Sequence, residues 1–359
     1  MKINEIYNEP CLDTLRKMPN EFLDCVITSP PYWQLRDYGY DGQWGLEPTF
    51  QQYLEHLWEM MDEIYRVLKP TGTVWVNLGD TYNGNKTGNT SNKGYCENKV
   101  VDTFQKVKSQ LVKDKCLLLI PHRFAIGCID RGWIVRNDVI WAKRNGMPES
   151  CTDRFAKKHE FFFFMVKSEK YHFNLDAIRD SIKSASIERY KYKFVGNKDG
   201  IDREYMGHTE GYKNHLIPQS KYQTIDIEKE HRQGMHQNRG DEFEAMNVKM
   251  MDVVCESDDI NKNAERGKNP GTISDFWDIP TKPSSNEHYA SYNDELIRKP
   301  ILAGCPEGGL IYDPFMGTGS TAQAAIRAKR NFIGSEMSEK YIKICNTRLE
   351  PLLKQMQLL

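Results

Sequence analysis

The fold of this chain is encoded most clearly in residues 309–336, which read GLIYDPFMGTGSTAQAAIRAKRNFIGSE. A short apolar run ends at Asp313 and is followed by a glycine-rich turn, a predicted alanine-rich helix from about Thr321 to Ala328, and a second apolar run that leads to Glu336. A strand, a glycine turn, a helix and a strand ending in an acid form a nucleoside-binding arrangement. These residues therefore predict an α/β fold with a ligand site at the strand ends.

The turn after Asp313 excludes one class of ligand. Residues 313–321 contain no lysine, so they differ from the phosphate-binding loop of nucleoside triphosphatases. The glycines permit a tight turn and a close approach of a ligand to the backbone. Glu336 follows Asp313 by 23 residues, where a carboxylate can accept both hydroxyl protons of a ribose. The alternative is a purely structural turn, which the acid after the second strand disfavours.

Further apolar segments alternate between strand-like and helix-like periodicity. Strands are predicted at 23–28, 73–78, 133–141 and 161–166, and helices at 50–68 and 117–130. Strands that alternate with helices build a parallel sheet with crossover connections. We therefore expect a doubly wound, mostly parallel α/β sheet. The phenylalanine run at 161–164 is interpreted as a buried core strand rather than as a base-stacking surface.

The middle of the chain has a different character. Residues 174–272 are polar, weakly periodic and rich in Gly and Asn, which indicates a loop-rich module inserted into the sheet domain. The expected organisation is a first core segment at 1–173, this module at 174–272, and a second core segment at 273–359. The interval 142–240 holds 19 Lys and Arg against 14 Asp and Glu, so it could present a mildly basic face.

A second motif follows the first long predicted strand and reads Ser29-Pro30-Pro31-Tyr32. Two prolines remove amide donors and leave local carbonyls free to accept hydrogen bonds. Ser29 Oγ and the Pro30 carbonyl could each accept one hydrogen of an exocyclic amino group, and Tyr32 offers a ring on which a base could stack. The alternative is an ordinary turn after a strand.

With these motifs at opposite ends of the chain, the sequence resembles the amino-group DNA methyltransferases of the permuted β class. In that class the catalytic motif precedes the target-recognition region and the cofactor motif follows it. The resemblance covers residues 1–173 and 273–359 and includes further matching segments at 76–80, 120–125, 132–137, 145–150 and 287–292. An intact catalytic motif and an intact glycine-rich motif argue against a catalytically silent subunit of the same fold, which is the rival from another class.

The resemblance implies that S-adenosylmethionine is the cofactor, that S-adenosylhomocysteine is the product, and that no metal takes part. It places Ser29, Pro30, Pro31 and Tyr32 at the catalytic site. A serine at the first position is typical of cytosine-N4 enzymes, whereas Asp or Asn is typical of adenine-N6 enzymes, which remain the alternative. The implied cofactor-binding residues are Asp313, Phe315, Gly317, Thr318, Gly319, Ser320, Thr321 and Glu336.

One segment departs from the family pattern. Members usually carry an Asn-Gly-Asp-Cys-like segment near the start, and its acid contacts the adenine region of the cofactor. In this chain the segment reads Asn8-Glu9-Pro10-Cys11. The adenine contact is left open between Glu9 and Asp13.

The implied substrate is double-stranded DNA, lying between the catalytic edge and the middle module, with the target base swung out of the helix, since a stacked amino group cannot align with a methyl donor. The net charge of −1 means that a local basic surface must hold the phosphates. We expect phosphate contacts from a loop that carries Arg144, Arg154, Lys157 and Lys158, with a merely solvated loop as the alternative.

Other features limit the remaining classes. The nine cysteines are scattered without a CxxC pair, and no ligand spacing joins His122, His159 and His288, so we expect reduced thiols and no metal. No apolar run approaches the roughly 20 residues that span a bilayer, and the N-terminus lacks a signal pattern. The prediction is a cytoplasmic monomer or homodimer without a membrane partner. A cognate restriction endonuclease is left open.

Overall fold

The computed structural model describes residues 1–84, 108–146, 149–179, 273–281 and 294–356, together with four short strands outside these ranges. The chain divides into two compact units. One comprises Met1–Ile178 and Ser274–Leu359, and the other comprises Arg179–Ile273.

Strands and helices alternate along much of the chain. In chain order they are β1 (Glu5–Tyr7), α1 (Cys11–Lys17), β2 (Leu23–Thr28), α2 (Phe50–Val67), β3 (Leu68–Leu78), β4 (Gly94–Cys96), β5 (Lys99–Val101), α3 (Ile120–Asp130), β6 (Ile134–Ala142), β7 (His159–Val166), a 3-10 turn (Leu175–Ala177), β8 (Tyr192–Phe194), β9 (Leu216–Pro218), β10 (Phe276–Asp278), α4 (Asp294–Gly304), β11 (Leu310–Asp313), α5 (Ser320–Arg327), β12 (Asn331–Ser335) and α6 (Glu339–Met356).

Eight strands of the first unit form one sheet in the order β1-β12-β11-β2-β3-β7-β6-β10. β7 runs antiparallel to both of its neighbours, and every other pair in this sheet is parallel. The order of the strands reverses around β2 and β11, which is where a doubly wound sheet opens a ligand crevice. The predicted doubly wound, mostly parallel α/β sheet is confirmed.

The two faces of the sheet are covered by different helices. Val74 and Val76 of β3 face a core that includes residues of α1, α2 and α3, whereas Trp75 between them faces a core that includes residues of α4, α5 and α6. Alternate residues of a strand point to opposite faces, so both faces of β3 are buried. This double burial explains the apolar run Val74-Trp75-Val76 in the buried part of the strand.

Two boundaries differ from the sequence predictions. The helix predicted from 117 begins at Ile120, because Leu119 adopts a left-handed conformation with φ 57° and Asp80 Oδ1 accepts the Ile120 amide at 3.1 Å. The strand predicted from 73 begins at Leu68, which pairs with Leu23 directly after α2 ends. Local propensity placed Leu68 in the helix, whereas tertiary pairing places it in the sheet.

The phenylalanine run lies in β7 between β3 and β6 and is largely buried, as the interpretation of 161–164 as core requires. The seven cysteines within the described ranges are all free thiols. Within those ranges no helix has the length and apolarity needed to cross a membrane.

In the second unit, β8 and β9 pair antiparallel. The rest of the predicted module at 174–272 lies outside the described residues beyond Arg179, apart from these strands. The same is true of His288 and of the family-like segment at 287–292. The predicted division of the chain into three segments therefore stays a prediction.

Candidate functional site

The carboxyl ends of four neighbouring strands meet at one edge of the sheet. Ser29 follows β2, Asp313 ends β11, Glu336 follows β12, and Asn77 lies near the end of β3. All four line one cavity of about 340 Å³. Residues about 300 positions apart in the sequence thus form one site, as expected for the edge of a doubly wound sheet.

In the Ser29-Pro30-Pro31-Tyr32 segment the two proline carbonyls differ. The Pro31 carbonyl accepts a hydrogen bond of 2.8 Å from the Tyr53 hydroxyl. No donor among the described residues contacts the Pro30 carbonyl. Ser29 Oγ lies 3.4 Å from Asn77 Oδ1. The arrangement leaves the Pro30 carbonyl available to a ligand amino group while Tyr53 fixes the next residue.

Tyr32 belongs to a chain of polar contacts along the cavity wall. Its hydroxyl lies 2.8 Å from Glu160 Oε2 and 3.0 Å from Asn77 Oδ1, and Lys143 forms an ion pair with Glu160. Burial, followed by the nearby Glu160 charge, raises the pKa of Tyr32 well above its usual value. Tyr32 is therefore a neutral hydrogen-bond donor, and the charged carboxylate is the stronger of its two acceptors.

The Tyr32 ring packs directly against the backbone of Gly79. A Cβ built on Gly79 would lie 2.5 Å from Tyr32 Cε2, so a glycine is required at this close approach. Asn77 and Gly79 lie in a segment that resembles the family, but the sequence indicates no role for either residue. Nothing in the local sequence predicts Lys143 or Glu160 at this site, since Glu160 is placed by the antiparallel pairing of β7 with β3 and β6.

The glycine-rich turn holds the carboxylate of Glu336. The Gly317 amide donates to Oε2 at 2.8 Å, and the Ser338 amide donates to Oε1 at 2.8 Å. A carboxylate has about four lone-pair directions, so each oxygen keeps capacity for another donor. Burial raises the pKa of the Glu336 carboxyl, and these amide donors oppose that shift. A ligand with vicinal hydroxyls would match this acceptor.

Asp313 organises the start of the same turn. Its Oδ1 accepts the Phe315 amide at 3.0 Å, and its Oδ2 accepts the Thr321 hydroxyl at 2.5 Å. Thr318 and Ser320, which are also predicted to bind the cofactor, line the same cavity.

Gly319 is the one predicted cofactor residue that does not line the cavity. It precedes α5 with φ 84°, and a Cβ built on it would lie 2.2 Å from Cys345 Sγ of α6. Its absent side chain thus lets α6 pack against the turn.

The two candidates for the adenine contact occupy different places. Glu9 lines the cavity and accepts hydrogen bonds from Thr14 and Lys17. Asp13 lies outside the cavity lining, is about half exposed and pairs with Arg16 at 3.5 Å. The geometry favours Glu9.

An aromatic segment between β2 and α2 completes the cavity wall. Tyr38, Tyr40 and Trp44 line the cavity, and Trp44 packs on the Phe315 ring at a centroid distance of 5.3 Å. The Gln34 amide closes this segment by donating to the Gly45 carbonyl at 2.7 Å. The sequence does not predict these aromatic residues at the site, because irregular segments carry no periodicity from which their position could be derived.

The four predicted phosphate contacts lie outside the cavity lining and are engaged within the chain. Arg144 pairs with Asp278, and Arg154 pairs with Glu149 while its Cζ lies 4.1 Å from the Tyr82 ring centroid. The remaining two are lysines that donate to backbone carbonyls, Lys157 to Asp80 and Lys158 to Gly146.

Burial lowers the pKa of Lys157, because removal from water disfavours the charged ammonium. Its role as a phosphate contact stays a prediction.

The histidines show no metal arrangement in the described part of the chain, where no group of three or more His, Cys, Asp or Glu could hold a metal ion. His122 and His159 both pack edge-on against the Phe161 ring.

Comparison with known proteins is consistent with this geometry. A family model described as DNA methylase, covering the N6 and N4 methyltransferases, matches residues 23–347. The type II methyltransferase M.Cfr9I of Citrobacter freundii is 29% identical, over 96% of this chain and 87% of that protein. The type II methyltransferase M.SfiI of Streptomyces fimbriatus is 30% identical, over 94% of this chain and 89% of that protein.

Solved structures share the fold. The PvuII DNA methyltransferase, which is cytosine-N4-specific, superimposes with a TM-score of 0.56 at 15% identity, covering 99% of this chain and 91% of that one. A Thermus thermophilus protein assigned as a DNA modification methylase, solved with S-adenosyl-L-methionine, gives a TM-score of 0.51 at 16% identity, covering 97% of this chain and 93% of that one. The family match spans most of the chain and both halves of the cavity, and the chain therefore belongs to the DNA methylase family of N6 and N4 methyltransferases.

Proposed function

We propose that this chain transfers a methyl group from S-adenosylmethionine to the exocyclic N4 of a flipped-out cytosine in duplex DNA. The observation that carries the proposal is the convergence of Ser29–Tyr32 and the Asp313–Glu336 turn on one cavity of about 340 Å³. The methyl donor and the amino group that receives the methyl must meet in one enclosed space. Ser29–Tyr32 is suited to the amino group and the Asp313–Glu336 turn to the methyl donor, and both line this cavity.

The residues present fit S-adenosylmethionine. Glu336 is a fixed acceptor for ribose hydroxyls, Glu9 lies in the same cavity near the start of α1, and Phe315 and Trp44 provide apolar walls. The carboxylate of Asp313 faces a cavity in which a cationic ligand group would be stabilised. When bound, the cofactor supplies an electrophilic methyl group on a sulfonium.

The first prediction concerns Glu336. We expect Glu336→Ala to weaken S-adenosylmethionine binding by about 1–3 kcal/mol, because the ribose would lose a buried charged acceptor. Isothermal titration calorimetry measures the effect. Glu336→Gln keeps one acceptor oxygen, so its affinity for S-adenosylmethionine should lie between those of the wild type and Glu336→Ala. A folded Glu336→Ala protein with wild-type affinity would remove Glu336 from the cofactor site.

Around the amino group that receives the methyl, the chain supplies two hydrogen-bond acceptors and an aromatic ring. Ser29 Oγ and the Pro30 carbonyl can each accept one hydrogen of the amino group, which orients its lone pair. The Ser29 hydroxyl can alternatively donate to cytosine N3, a match that an ionised Asp could not provide. Tyr32 supports the base by stacking.

A covalent route through a cysteine is disfavoured. Cys25, the nearest cysteine in sequence, is fully buried in β2, and burial raises its pKa well above the usual value. The reactive thiolate is therefore scarce and enclosed. The route that remains is direct attack of the amino nitrogen on the methyl group, without a covalent enzyme intermediate.

The second prediction identifies the product. DNA methylated by the purified chain should contain N4-methylcytosine, because serine stands first in the catalytic motif. Digestion to nucleosides followed by chromatography and mass spectrometry decides between this product and N6-methyladenine, the alternative for this family. N6-methyladenine would overturn the serine argument and leave the cofactor assignment intact. Absence of any methyl transfer would instead support a silent subunit.

We also propose that the second unit, Arg179–Ile273, reads the DNA sequence, since the first unit contains both the catalytic motif and the cofactor motif. Basic residues of the β6–β7 loop would contact phosphates. The relatives M.Cfr9I and M.SfiI are named as type II methyltransferases, which supports a cognate restriction endonuclease as the functional counterpart of this enzyme.

A further inference from the structure

Phe155 is unusual among the apolar residues of the described chain. Its exposure is 96%, the highest among the large exposed hydrophobic side chains. Its ring makes no aromatic contact within the described residues. Single exposed apolar side chains are common in folded proteins, so the location of Phe155 decides what its ring can contact.

The position of Phe155 is at the catalytic edge of the sheet. β6 is antiparallel to β7 and β7 is antiparallel to β3, so the β6–β7 loop leaves the sheet where β3 ends. Phe155 precedes Glu160 by five residues, and Glu160 contacts the Tyr32 hydroxyl. Five residues span at most about 18 Å, which is the scale of a nucleotide and its neighbours.

The backbone beneath Phe155 is held in place by its neighbours. Arg154 Nη1 donates to the Phe155 carbonyl at 3.1 Å and also pairs with Glu149, while its guanidinium packs over the Tyr82 ring. Asp153 forms an ion pair of 2.6 Å with Lys115. The Phe155 ring thus projects from a backbone segment whose two preceding side chains contact neighbouring side chains.

The charges around Phe155 suit a polyanion. Residues 143–158 carry five basic side chains, Lys143, Arg144, Arg154, Lys157 and Lys158, against two acidic ones, Glu149 and Asp153. A projecting apolar side chain on a net basic loop is the chemistry with which proteins enter a base stack. DNA is therefore favoured over an apolar protein partner.

We propose that Phe155 enters the DNA duplex and fills the gap that the flipped base leaves, a proposal that rests on the proposed function. A base that leaves the stack removes stacking from both neighbours. The Phe155 ring restores part of that contact and slows return of the base. Phe155 thus favours the extruded state without touching the reacting atoms.

The test compares two duplexes that contain the recognition sequence, first mapped by sequencing plasmid DNA methylated by the wild-type protein. One duplex is fully paired, and the other carries an abasic site opposite the target base, where flipping breaks no base pair. On the paired duplex we expect Phe155→Ala to lower kcat/KM by about 20-fold, since flipping carries its full cost there. On the abasic-opposed duplex the loss should shrink to about threefold or less.

Two further variants control for general effects. Phe155→Trp keeps a wedge and should retain most of the activity on both duplexes. Phe276→Ala removes another exposed phenylalanine, 57% exposed in the edge strand β10, and should match wild type on both. Equal losses of Phe155→Ala on the two duplexes, or none on either, would overturn the proposal. If the wild-type protein methylates no DNA, the proposed function fails instead.

Discussion

Replacing Tyr32 with alanine should lower kcat/KM for DNA methylation by about 10²–10³-fold, equivalent to roughly 3–4 kcal/mol of transition-state stabilisation. Two losses combine. The base loses a stacking surface worth about 1–3 kcal/mol. Glu160 loses the hydroxyl at 2.8 Å, and a hydrogen bond to a charged group contributes about 1.5–3 kcal/mol. Steady-state kinetics with radiolabelled S-adenosylmethionine measures the change.

Tyr32→Phe separates the two contributions. It keeps the ring and removes only the hydroxyl, so we expect a loss of about tenfold. Calorimetric affinity for S-adenosylmethionine should stay close to wild type in both variants. If Tyr32→Ala instead weakened cofactor binding and left kcat unchanged, Tyr32 would belong to the cofactor site rather than to the base site.

The parts of this site that the sequence predicts are those in which local pattern and tertiary position agree. Glu336 follows a short apolar strand, and Ser29 follows another, so each could be placed at a strand end from its neighbours alone. Parallel strands with crossover connections then require these ends to share one edge. The fold class and the two motifs follow from this reasoning.

The missed residues depend on register rather than on pattern. Glu160 lies directly before a phenylalanine run, where its sequence context indicates only a buried strand. It reaches Tyr32 because β7 pairs antiparallel with β3 and aligns Phe162 with Asn77. Likewise, no local signal shows that the Lys157 ammonium donates to the Asp80 carbonyl. Such contacts are determined by pairings that are distant in sequence.

Gly319→Ala should destabilise the folded protein by about 3 kcal/mol, because two penalties act at one position. The backbone is left-handed at φ 84°, which costs a residue with a Cβ about 1–2 kcal/mol. The new Cβ would also lie 2.2 Å from Cys345 Sγ, and overpacking of a core typically costs about 1–3 kcal/mol. Denaturant unfolding followed by circular dichroism measures the sum.

A matched control separates the two penalties. Gly308 has φ 75° with no atom within 4 Å of an added Cβ, so Gly308→Ala should show only the backbone cost of about 1–2 kcal/mol. In Gly319→Ala combined with Cys345→Ala, the clash is removed while the backbone strain remains. The double variant should therefore be more stable than the sum of its two single losses predicts, because the sites are in contact. Strict additivity would show that α6 does not pack against Gly319 in solution.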